Sequence, residues 1–191
     1  CSACSRLIVF ESVHDRLVDN VVSVASRLSV GRPADNHPIG PVISAAQHAS
    51  ILAEIASGKD HASLIMGGRA IDNDGGYYIE PTIFDEVTPD MTIAREEVFG
   101  PVTVVIPYEG DEEALAIAND SDFGLAASIY SQDTDRAWHI ARQLQSGAVA
   151  INMAGISFAA PFGGYKNQLW WNKNASVNFD WLCGGQTKHA L

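Results

Sequence analysis

No apolar run in these 191 residues approaches the ~20 that a membrane-crossing helix requires. Cysteine is scarce, with only Cys1, Cys4 and Cys183. That odd number has no repeated spacing, which argues against a disulfide framework and fits a reducing, cytoplasmic compartment. The six histidines are scattered, with neither an HxxxH nor a CxxC pattern, so no structural metal site is expected. Positive charge is also short. Twelve Lys and Arg face 23 Asp and Glu, for a formal net charge of −11. Such a surface repels phosphate backbones and anionic lipid, so neither nucleic acid nor a membrane is an expected partner. The first residue is not Met, and no long apolar stretch follows a basic start, so no signal peptide is expected in these residues. The expectation is a processed product or a piece of something longer.

What the sequence does have is 47% hydrophobic residues, enough for one domain with a real core. Arg6–Phe10 reads as a strand. Ser12-Val13-His14-Asp15 resembles a capping box, and Val13, Leu17, Val21, Val24 and Leu28 predict an amphipathic helix over residues 12–28. Ser44-Ala45-Ala46-Gln47 is a second capping box, opening a helix that Gly58 ends. Strands are predicted at 63–66, 102–106, 126–130 and 148–152, an extended stretch at 77–84, and helices at 112–119 and 133–144. Strand and helix patterns alternate, which predicts an α/β class: a layered domain with a largely parallel sheet flanked by helices.

Four segments carry the chemistry: Cys1-Ser2-Ala3-Cys4-Ser5-Arg6, Glu96-Glu97-Val98-Phe99-Gly100-Pro101, Ala118–Ala127 (ANDSDFGLAA) and Pro161-Phe162-Gly163-Gly164-Tyr165-Lys166. Tyr77–Thr82 (YYIEPT) adds a weaker fifth. In this order they resemble the aldehyde dehydrogenase superfamily, specifically the catalytic-domain portion that begins at its nucleophilic cysteine. The resemblance implies that residues 1–166 are that catalytic domain. It makes Cys1 the thiolate that attacks an aldehyde to give a thiohemiacetal. Hydride would pass to NAD or NADP, and water would cleave the resulting thioester to a carboxylic acid. Glu97 would accept hydrogen bonds from the nicotinamide ribose, a task suited to a carboxylate that takes two donors. Phe99 would pack on the nicotinamide ring, and Phe162 would line the substrate pocket. Cys4 reads as a packed thiol and Asn152 as structural. The loop 153–160 carries Ala154, Gly155, Ile156, Phe158 and Ala159, which hints at an uncharged small-molecule aldehyde.

The sequence also departs from the family. The dinucleotide-binding domain, the oxyanion-holding Asn and the general-base Glu precede the nucleophile there, so that cofactor-binding domain is expected to be absent from this chain. The chain on its own is expected to give no turnover. Residues 167–191 form an atypical tail, holding three of the four tryptophans, whose end would supply the strand that joins a homo-oligomer. Two alternatives stand beside the dehydrogenase. One is an inactive truncated domain with a structural role. The other is a hydrolase using an N-terminal cysteine, whose stacked antiparallel sheets the β/α alternation disfavours.

Overall fold

A β-branched run such as Val102-Thr103-Val104-Val105-Ile106 suits a strand covered on both faces, and it forms the inside of a sheet. The computed structural model describes residues 3–73, 75–154 and 163–168. They fall into two compact units: Ser5–Glu109, and the described part of Cys1–Cys4 with Gly110–Leu191.

In chain order the Ser5–Glu109 unit contains β1 (Arg6–Phe10), α1 (His14–Ala25), α2 (Ala45–Lys59), β2 (Ser63–Met66), β3 (Ala70–Ile71), β4 (Tyr78–Ile79), β5 (Thr82–Asp85), α3 (Thr92–Arg95) and β6 (Val102–Tyr108). Its sheet has the order β1-β6-β5-β2. β6 runs parallel to both β1 and β5, and only β2 is antiparallel. The α/β, mostly parallel architecture expected from the alternation is therefore present. Neighbouring residues of a strand face opposite ways, and the two helices use this. Val9, Ile83 and Val105 meet Val18, Val21, Val22 and Ala25 of α1. On the opposite face Phe84 lies against Gly58 of α2, so close that a Cβ there would come within 3.0 Å of the ring tip.

Three expectations are corrected at this stage. Ser12 does not cap α1: a short 3-10 turn, Glu11–Val13, precedes the helix, and its N-cap is Val13 with no side-chain bond. Asp15, the shorter stand-in for Glu, instead pairs with the ring of His14. The helix ends at Ala25, three residues early, in i→i−3 bonds from Arg27 and Leu28. Its inner face is also rotated from the predicted stripe, since Leu17, Val24 and Leu28 are exposed while Val18, Val21 and Val22 pack inward. A helix with apolar residues on several sides leaves its phase to the sheet it covers.

The second unit contains α4 (Asp111–Asn119), β7 (Ala126–Ile129), α5 (Thr134–Ala141) and β8 (Ala148–Ile151). β7 and β8 pair in parallel. Ala141, Leu144 and Val149 form the core, with Leu115, Ala127 and Ile151 against it. Asp133 caps α5, its carboxylate accepting from the Arg136 N–H at 2.9 Å. Asn152 extends the β7–β8 pairing with its side chain, which donates to the Ser131 carbonyl and accepts from its N–H, both at 2.9 Å.

Candidate active site

The expected site residues divide into those the structure places and those it does not describe. Cys1 and Phe162 lie outside the described residues, as do positions 155–160 of the substrate loop. Glu97 and Phe99 are placed, in the turn that joins α3 to β6. Cys4, read as a packed thiol, is exposed.

The turn is built by local bonding and by one close contact. α3 is a single turn whose end leaves the helical path at Glu96, φ −86° and ψ 151°. The Glu96 N–H still donates to the Thr92 carbonyl at 2.9 Å. From there the chain runs extended, and β5 fixes its far end: the Thr82 N–H donates to the Pro101 carbonyl at 2.8 Å. Between these anchors Gly100 presses on α2. A Cβ at that position would lie 2.7 Å from Cδ1 of Ile51, so any larger residue would have to push that buried side chain aside. Proline then leads into β6 with no N–H that would need an acceptor.

Held in this way, Glu97 is half-buried and Phe99 is 60% exposed. A large aromatic side chain left this open has a face available to a flat partner. A carboxylate beside it accepts hydrogen bonds from a pair of hydroxyls. An acceptor beside an open aromatic face fits a ribose carrying a planar ring. Among the described residues, no group of three or more His, Cys, Asp and Glu is placed to hold a metal. No helix among them is long and apolar enough to cross a membrane.

One neighbour was not legible from the sequence. Gln47 reads there as the closing residue of a capping box. Its backbone N–H does bond Ser44 Oγ, at 3.2 Å. Its side chain does not return to Ser44 but donates from Nε2 to the carbonyl of Phe99 at 3.4 Å. The two residues are 52 positions apart, so no local pattern announces the contact. The rings of His48 and Tyr77 meet at a tilt of 44°, centroids 6.0 Å apart.

Comparison with known proteins sets this turn in a family. A model described as the aldehyde dehydrogenase family matches residues 1–177. Geranial dehydrogenase of Castellaniella defragrans is 40% identical over 168 residues, covering 87% of this chain and 35% of that protein. Betaine aldehyde dehydrogenase of Mesorhizobium japonicum is 38% identical over 172 residues, with the same coverage of each. Among solved structures, a 1-pyrroline-5-carboxylate dehydrogenase from Thermus with bound NAD superposes with a TM-score of 0.83 at 38% identity, over 87% of this chain and 33% of that one. The NAD+ complex of a Bacillus cereus aldehyde dehydrogenase gives a TM-score of 0.83 at 39% identity, over 87% and 34%. The chain spans about a third of the length of these relatives.

Proposed function

This chain belongs to the aldehyde dehydrogenase family, and we propose that it is the catalytic portion of an NAD(P)+-dependent enzyme that oxidises an aldehyde to a carboxylic acid. In this reading residues 1–166 carry the thiol chemistry. Residues 167–191 join a homo-oligomer, and the dinucleotide platform comes from outside residues 1–191, in a cytoplasmic setting. The observation that supports it best is the turn itself: a half-buried Glu97 and a largely exposed Phe99, fixed by Ile51 and Gly100.

The chemistry runs through the chain's own groups. The Cys1 sulfur adds to the carbonyl carbon of the aldehyde, giving a thiohemiacetal. When bound, NAD(P)+ supplies the hydride acceptor. Glu97 would accept from the ribose hydroxyls and Phe99 would pack on the ring. Once hydride and the hydroxyl proton have left the thiohemiacetal, Cys1 carries a thioester. Water adds to it, the carbon–sulfur bond breaks, and the acid leaves with Cys1 restored as a thiolate and one proton released to solvent. Phe162 lines the aldehyde's path, and the apolar residues of 153–160 favour an uncharged substrate.

The test is NADH formation by the polypeptide that carries this chain, supplied with NAD+ and geranial, an uncharged aldehyde. Cys1→Ala is expected to abolish turnover. Glu97→Gln is expected to raise the KM for NAD+ about tenfold, the loss of one charge-assisted hydrogen bond, while leaving the aldehyde KM alone. NADH formation that survives Cys1→Ala would overturn the reading.

A further inference from the structure

We infer that Lys166 is a positioning residue, whose ammonium fastens the Gly163–Gln168 segment to the loop after α4 and so sets the position of Gly163, the residue that follows Phe162 in the sequence. The inference rests on the proposed function for its link to substrate, and on the following geometry for the fastening.

Helix α4 begins with three acidic residues, Asp111, Glu112 and Glu113, but has no basic residue in its own last turn. Its C-terminal carbonyls, at the negative end of the helix dipole, attract a cation. Lys166 supplies one from 47 residues away. Its Nζ donates to the Asn119 carbonyl at 2.5 Å and to the Ser121 carbonyl at 2.6 Å. The backbone follows the side chain. The Tyr165 N–H donates to the Gly124 carbonyl at 2.9 Å, and the Asn167 N–H to the Asp122 carbonyl at 3.1 Å. In return the Gly124 N–H donates to Gln168 Oε1 at 3.2 Å. The segment is tied to the 119–124 loop along its length.

A second loop closes on the same place. Asn119 donates from Nδ2 to the Gln143 carbonyl at 3.0 Å and accepts at Oδ1 from the Gln145 N–H at 2.8 Å. Asn119 therefore holds the loop before β8 with its side chain and Lys166 with its carbonyl. Gly147 in that loop passes so near Gly163 that a Cβ would lie 1.6 Å from the Gly163 oxygen. The two backbones therefore pack without room for a side chain at Gly147, and Phe162 immediately precedes Gly163 in the sequence.

The backbone at Lys166 identifies the ammonium as the working group. Its φ is +55°, a left-handed conformation that glycine adopts freely and lysine adopts at a cost. If only the turn mattered, glycine would serve there better. The strain is balanced by two charge-assisted bonds to backbone oxygens.

The test separates the backbone from the side chain. In this chain, Lys166→Met and Lys166→Gly are expected to speed amide exchange at Gly124, Tyr165 and Asn167 by about tenfold, with β8 unchanged. Lys166→Arg is expected to stay within about threefold of the parent. In the polypeptide that carries this chain, Met and Gly should raise the aldehyde KM about tenfold and leave the KM for NAD+ unchanged, and Arg should restore the parent value. If Lys166→Gly exchanges and binds aldehyde like the parent, the ammonium is not the fastener and the inference fails. If exchange accelerates but the aldehyde KM does not move, the fastening is structural only and the positioning role fails. If the parent itself forms no NADH, the proposed function fails and takes the substrate role with it, while the exchange data still decide the fastening.

Discussion

His14 shows how one side chain acquires a charge from its neighbours. Nδ1 lies 2.9 Å from the Asp15 carboxylate and Nε2 lies 2.8 Å from that of Asp85. Carboxylates only accept, so this geometry favours the imidazolium, in which both ring nitrogens donate. The hydrogen bonds to Asp15 and Asp85 hold its pKa above the ordinary histidine value, with desolvation working against them. Asp15 is fully exposed and screened by water, whereas the Asp85 side chain is 12% exposed, so Asp85 is the stronger tether. A pKa raised by folding gives stability that is complete below about pH 6.5 and is lost as pH rises through the folded value. His14→Gln should cost about 1–2 kcal/mol at pH 6 and little at pH 9, read as urea midpoints at both pH values. A cost that stays constant with pH would remove the charge from the account. In the sequence this histidine is one of six scattered ones. Its partner lies 71 residues away on another element, so nothing local reveals the pair.

At the scale of the element, strands were the most legible parts. Arg6–Phe10 and Ser63–Met66 coincide with the strands expected, because β-branched and apolar runs between turn residues have few other uses. The phase of α1 was not legible, since Val18, Val21, Val22 and Val24 give it apolar atoms on more than one side. Paired substitutions check the rotated phase. Val22→Ala, which removes packing from the Val9, Ile83 and Val105 cluster, should cost about 1–2 kcal/mol in denaturant unfolding. Val24→Ala, at a position 62% exposed, should cost about zero. Equal losses would return the helix to the predicted stripe. The candidate site divides in the same way. Glu97 and Phe99 stand in a recognisable motif, but the residues that set their turn, Ile51 and Gln47, lie on α2 and reach it only in three dimensions.

On the scale of the whole molecule, the alternation of strand and helix gave the class correctly, and it missed β3 and α3 because elements of two and four residues carry no period. Charge is the other property of the whole. With a net charge of −11 and an isoelectric point near 4.8, solubility should fall to a minimum as pH approaches that value, and light scattering across a pH series would record it. A minimum above neutrality would contradict the acidic surface. The sheet adds a consequence in time. β1 pairs in parallel with β6, whose residues follow about a hundred positions later. At a synthesis rate of about 5–20 residues per second, Arg-Leu-Ile-Val-Phe waits roughly 5–20 s before its partner exists. For that interval a short, apolar strand has no ladder to join, so in a cell this stretch is a natural place for a chaperone to hold the growing chain.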